Sequence, residues 1–158
     1  MVFKKIEKKE EGQFINRYNI TYETTRVRRT LALFVEIGEF ANTTRCFKYW
    51  SNKPMDDKAV VLDEYADGLH FFLSLGIDVK SDKAIYERSD NKIPLSDQIV
   101  KTYELISEFA KTYSVSDYQK AFSYFLNISY TLGYEIKEVV DAYETKLKEN
   151  YRRQNTNY

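Results

Sequence analysis

Leu31-Ala-Leu-Phe-Val-Glu-Ile-Gly-Glu-Phe-Ala41 and Val60-Val-Leu-Asp-Glu-Tyr-Ala-Asp-Gly-Leu-His-Phe-Phe-Leu73 are apolar stretches that each carry two acids three positions apart, Glu36 with Glu39 and Glu64 with Asp67. In the first, apolar residues surround the axis, as expected of a central helix covered by others. On a helix the i,i+3 spacing sets both carboxylates on one face, about one turn apart. Leu33 and Phe40 flank the first pair, and Val60, Val61 and Phe71 the second. Four carboxylates converging in a half-buried site cannot all stay ionised without a partner, because desolvation and mutual repulsion raise their pKa values. A pair of divalent cations answers that need; salt bridges to internal Lys or Arg are the structural alternative.

Spacing alone carries little. With 24 acids in 158 residues, roughly three or four such pairs arise by chance. Glu7/Glu10, Glu87/Asp90, Glu135/Glu138 and Glu138/Asp141 share the spacing but have polar neighbours, and read as solvated helix faces. What sets the other two pairs apart is their apolar surroundings.

Five Gly, two Pro and long stretches of helix-favouring residues predict an all-α protein, a bundle of about five to six helices forming a single domain over residues 1–158. The acidic helices are expected over Thr25–Asn42 and Asp57–Leu75, joined by a turn at Ser51–Asp57, with Gly76 as a left-handed stop. An N-terminal helix over Phe3–Asn19, weakened near Gly12, precedes them. A loop follows over Ile77–Leu95, then helices over Ser96–Tyr113, Ser116–Leu132 and Tyr134–Arg153. Ser116 with Gln119 fits a capping box and Gly133 a helix stop. Gly38, inside the first acidic helix, points to close packing or room for a ligand.

Lys plus Arg equals Asp plus Glu at 24 each. A zero net charge argues against nucleic acid or anionic membrane as the main partner. There is no apolar run of signal-peptide or membrane-span length, so the expected location is cytoplasmic. The one cysteine, Cys46, excludes an internal disulfide and reads as a small buried residue. Fourteen Tyr and ten Phe are expected to fill a core or subunit interface, with Tyr hydroxyls hydrogen-bonded.

Oxygen-only ligands select hard cations, so Mg²⁺, with Mn²⁺ as substitute, is expected rather than Zn²⁺. Because Mg²⁺ commonly shares its coordination with substrate phosphates, the chemistry implied is phosphoryl transfer to water.

Glu36-Ile-Gly-Glu39, 24 intervening residues and Glu64-Tyr-Ala-Asp67 together resemble the ExxE…ExxD signature of the all-α nucleoside triphosphate pyrophosphatases, which include MazG-like proteins and dimeric dUTPases. Three further stretches resemble the dimeric dUTPase branch: Glu39 to Ser51 with its Phe-Lys-Tyr-Trp, Asp67-Gly-Leu-His-Phe71, and Ala142 to Tyr158 with its Tyr, Lys, Asn, Arg-Gln and final Tyr. Two positions depart from the pattern, Leu147 in place of Asn and Asn157 in place of Gly. The N-terminal Gln/Asn motif is matched only by Gln13 and Asn16.

The resemblance implies hydrolysis of dUTP, with dUDP as a further substrate, to dUMP and pyrophosphate or phosphate by metal-activated water, in a homodimer. It implies Glu36, Glu39, Glu64 and Asp67 as ligands of two or more Mg²⁺ ions, with Glu36 or Glu39 accepting the water's proton. Lys48, Lys146 and Arg153 are then phosphate contacts. Trp50 walls the uracil, His70 and Asn150 hydrogen-bond base or sugar, Phe71 packs beneath the deoxyribose, and the tail to Tyr158 orders over the nucleotide. For Trp50, His70 and Phe71, core packing is the ordinary alternative. Two rival functions stand beside this one: a MazG-like house-cleaning pyrophosphatase for another nucleotide, and a catalytically inactive helical interaction protein.

Overall fold

The computed structural model describes residues 20–82 and 92–156, which form five helices. Thr21 starts the first. Its hydroxyl accepts from the Thr24 amide at 3.2 Å, and Thr24 Oγ1 accepts from the Thr21 amide at 3.0 Å, so each residue satisfies a donor at the helix start. Helix α1 runs Tyr22–Thr44, α2 Lys58–Asp78, α3 Leu95–Thr112, α4 Val115–Thr131 and α5 Ile136–Asn155. Among the described residues there is no strand, as the composition predicted. The expected helix over Phe3–Asn19 lies outside them.

Helix α2 is the hub. Its end meets the start of α1, where Asp78 pairs with Arg26, and its start meets the end of α1, where the Asp56 amide donates to the Thr43 carbonyl. The two helices are therefore antiparallel. Tyr65 stacks on Phe125 and Gly76 faces Tyr118, so α4 also runs antiparallel to α2. Lys58 pairs with Glu138 and Asp67 with Lys146, so α5 runs parallel to it. At the other side, buried Gln98 near the start of α3 accepts from Thr131 Oγ1, the last residue of α4, at 3.0 Å.

The core is aromatic. Phe40, Tyr65, Phe72 and Phe125 are fully buried, and the Tyr65 and Phe125 rings lie 4.4 Å apart. The Tyr65 hydroxyl donates to the Phe125 carbonyl at 2.9 Å, so the ring is buried with its polar end satisfied.

Two expected helix signals are corrected. Gly76 does not stop α2, which continues to Asp78; it is buried beneath the Tyr118 ring, where the missing Cβ makes room for a close approach. Ser116 does not cap α4. Tyr113 turns the chain in the left-handed region, and Ser114 Oγ accepts from the Asp117 amide at 3.1 Å, so the helix starts earlier than expected. Gly133 does end α4 as expected, at φ 72°. Of the expected loop 77–95, Ile77 and Asp78 complete α2 and Leu95 opens α3, while residues 83–91 lie outside the described set. No described helix is long and apolar enough to cross a membrane.

Candidate metal centre

Antiparallel packing of α1 on α2 brings the two acidic pairs to one level of the bundle. Gly68, next to Asp67, permits it: a Cβ there would lie 3.1 Å from Phe125 Cζ and 3.9 Å from Ile37 Cγ1, so the bare backbone lets three helices close together. Glu36 from α1 and Glu64 and Asp67 from α2 each direct a carboxylate oxygen to within 4.8 Å of the other two. All three are half-buried. Glu39 is exposed and outside this triad, although its negative charge acts on all three members.

The electrostatics match that crowding. Burial, and then the charges of Asp67, Glu39 and Glu64, push Glu36 up to about 7. Burial raises Glu64 as well, with Asp67 and Glu39 adding to it. Asp67 is raised by burial, against the pull of a hydrogen bond from Lys146. One oxygen, Oε2 of Glu64, is buried without a hydrogen-bond partner among the described residues. An orphaned carboxylate oxygen at the meeting point of three acids, with no His or Cys in the set, fits a hard divalent cation.

Lys146 enters the same site from α5. Its Nζ lies 2.6 Å from Asp67 Oδ2 and 2.7 Å from Asp63 Oδ2, and its side chain is only 15% exposed. Burial alone would lower this lysine; its hydrogen bonds to Asp63 and Asp67 carry it above its ordinary value instead. Salt bridging by an internal lysine is thus present at one of the four acids. Asp63 is the residue that sequence reasoning passed over. It stands i,i+4 from Asp67, one turn away on the same face, but such spacing is common among helical acids and singles out nothing by itself.

The remaining candidates are spread over the elements. Lys48 and Trp50 sit on the connection after α1; Trp50 is 65% exposed, so it is no core residue, and its ring packs edge-on to Tyr49 and Phe47. Lys48 Nζ lies 5.5 Å from the Phe47 ring centre. His70 and Phe71 follow the triad on α2 with rings 5.2 Å apart, Phe71 packed against the core, and burial pushes the His70 imidazole down to about 4. Asn150 is half-buried on α5, and Arg153 there donates to Glu149 at 3.0 Å. Leu147, the departure from the expected Asn, is a buried core residue. Cys46 is half-buried against the core. Gln13, Asn16 and Tyr158 lie outside the described residues.

A sequence model of the dUTPase family matches residues 4–158. The chain belongs to that family. Membership makes this dUTPase-family chain a hydrolase of dUTP and sets the acidic triad in the context of a family that is generally metal-dependent. The match begins well before α1 and runs past α5, so it takes in both acidic helices, the Lys48–Trp50 connection and Lys146. No curated protein matches the chain.

Proposed function

We propose that the chain hydrolyses dUTP to dUMP and pyrophosphate in a Mg²⁺-dependent reaction, with Mn²⁺ as a substitute metal and dUDP as a further substrate. The observation that carries this reading is the Glu36, Glu64 and Asp67 triad with its orphaned Glu64 oxygen. These three, joined by Glu39, would hold the cations. Bound Mg²⁺ supplies neutralisation of phosphate charge and a lowered pKa for water at the site.

The side chains do the rest. A Glu36 carboxylate oxygen accepts the proton of the attacking water, as a positioned general base does. Lys48, Lys146 and Arg153 bind phosphate oxygens as charge-assisted donors. Trp50 offers an exposed aromatic face to the uracil. His70, held neutral by burial, and Asn150 hydrogen-bond base or sugar. Phe71 excludes a 2′-hydroxyl by packing beneath the deoxyribose. Gln13, Asn16 and Tyr158 complete the substrate contacts.

The same reading takes residues 1–158 as one domain that acts as a cytoplasmic homodimer. Support for the dimer comes from Val27, Leu31 and Val35, an exposed apolar stripe one turn apart along α1. Pyrophosphate release from a panel of nucleoside triphosphates, with and without Mg²⁺, tests the function. Selective, Mg²⁺-dependent turnover of dUTP is expected. Preference for another nucleotide would favour a MazG-like house-cleaning role, and no turnover a helical interaction protein.

A further inference from the structure

The acidic centre already contains one cation, and it belongs to the chain. Lys146 Nζ reaches both Asp67 and Asp63 at ion-pair distance, but the two acids differ: Asp67 is a triad member with a side chain 19% exposed, whereas Asp63 stands outside the triad at 51% exposed. Asp63 and Asp67 lie one helical turn apart on α2, so a single lysine bridges them. An ammonium group and a divalent cation cannot both sit against the Asp67 carboxylate without strong repulsion in a half-buried site. The flexible lysine stem allows Nζ to leave Asp67 while its bond to Asp63 persists.

We propose that Lys146 is a tethered counter-cation of the metal-free centre and Asp63 its positioning residue: a divalent cation displaces Lys146 from Asp67, and Asp63 keeps the freed ammonium at the rim for substrate phosphate. The inference rests on the metal-site reading above. It gives Asp63 a task that needs no contact with metal or nucleotide. It also accounts for a lysine so deeply placed among acids that are themselves proposed as ligands.

The test uses the full-length wild-type chain without nucleotide. Mn²⁺ binding is followed by calorimetry, and acetylation of Lys146 by an amine-reactive ester is mapped by peptide mass spectrometry at zero and saturating Mn²⁺. Displacement predicts at least a threefold faster acetylation of Lys146 with Mn²⁺ bound, while the exposed Lys137 is unchanged. In Lys146→Met, removal of the competing ammonium predicts about tenfold tighter Mn²⁺ binding. Mn²⁺ binding with unchanged or slower acetylation of Lys146, or unchanged affinity in Lys146→Met, overturns the inference and leaves the metal site standing. Failure of the wild-type chain to bind Mn²⁺ overturns both.

Discussion

Asp78 accepts from Arg26 through both oxygens, at 2.7 and 2.8 Å, and its Oδ2 also takes Arg29 at 2.8 Å, so one acid at the end of α2 clamps two arginines near the start of α1. The Asp78 side chain is 3% exposed. Burial alone would raise its pKa, yet the hydrogen bonds and charges of the two arginines hold it below the ordinary carboxylate value. Arg29 has further partners in Thr25, Ser74 and the Tyr22 carbonyl, which fix its position but do not neutralise it. Replacing Asp78 by Ala leaves a largely buried guanidinium uncompensated. The expected loss is about 3 kcal/mol, measured as a shift of the urea unfolding midpoint at pH 7.

Gly76 tests the close approach of α2 to α4. Alanine improves helix propensity by about 1 kcal/mol. Its Cβ, however, would overlap the buried Tyr118 ring, and overpacking of this kind costs about 1–3 kcal/mol. The added Cβ would stand 2.6 Å from Tyr118 Cζ and closer still to its hydroxyl oxygen, which sets the steric cost at the upper end of that range, so Gly76→Ala is expected to lower stability by up to about 2 kcal/mol. Gly133→Ala, at a positive φ with open space around it, should cost about 1 kcal/mol for conformational reasons alone. Thermal unfolding of the two variants side by side separates packing from backbone strain.

Those two glycines also mark what the sequence could reveal. Both follow apolar helical runs, and local pattern cannot tell a stop from a packing contact; Tyr118, 42 positions away, decides it at Gly76. The Ser114 cap was hidden behind the equally plausible Ser116 for a similar reason, since the left-handed turn at Tyr113 is not a residue preference. The meeting of Glu36, Glu64 and Asp67 was legible because acids amid apolar residues contradict their surroundings. Asp63 was not, because an exposed acid contradicts nothing, and only the fold brings Lys146 to it.

Leu31 and Val35 sit in the middle and at the end of the exposed stripe on α1. Glutamates there leave the buried face of the helix untouched, so the fold should survive. Leu31→Glu with Val35→Glu is expected to shift the sedimenting species from dimer to monomer while helical circular dichroism is retained. A wild-type chain that sediments as a monomer, or a double variant that stays dimeric, would sink the assignment of this face.

Glu36→Gln keeps the size of the side chain and removes both its charge and its ability to take a proton. Turnover of dUTP at saturating Mg²⁺ is expected to fall at least a thousandfold, about 4 kcal/mol of transition-state stabilisation. Glu39→Gln, outside the triad, is expected to lose less. Near-normal hydrolysis by Glu36→Gln would remove it from the proton-accepting role.

The same glutamate ties stability to pH in the metal-free protein. Its folded-state pKa is raised from 4.5 to about 7, so the folded state holds a proton that the unfolded chain releases, and this contribution is complete below 4.5 and lost as pH rises through 7. For a half-exposed side chain the loss, discounted for solvent screening, is on the order of 1 kcal/mol, or about 2–4 °C in Tm. His70 acts in the opposite sense. Its pKa is lowered from 6.5 to about 4, so its contribution is present above 6.5 and lost as pH falls through 4. The two slopes overlap between 4.5 and 6.5, which makes the wild-type curve alone ambiguous. The difference in Tm between wild type and Glu36→Gln isolates the glutamate: in chelator-treated protein, the variant should gain on wild type as pH is raised from 5 to 8. Saturating Mg²⁺ should erase that difference in slope, because a cation at the triad favours the ionised carboxylate that repulsion otherwise opposes. A pH-independent Tm difference in chelator would show that Glu36 ionises as freely folded as unfolded, and the crowding of the triad would then have no energetic consequence.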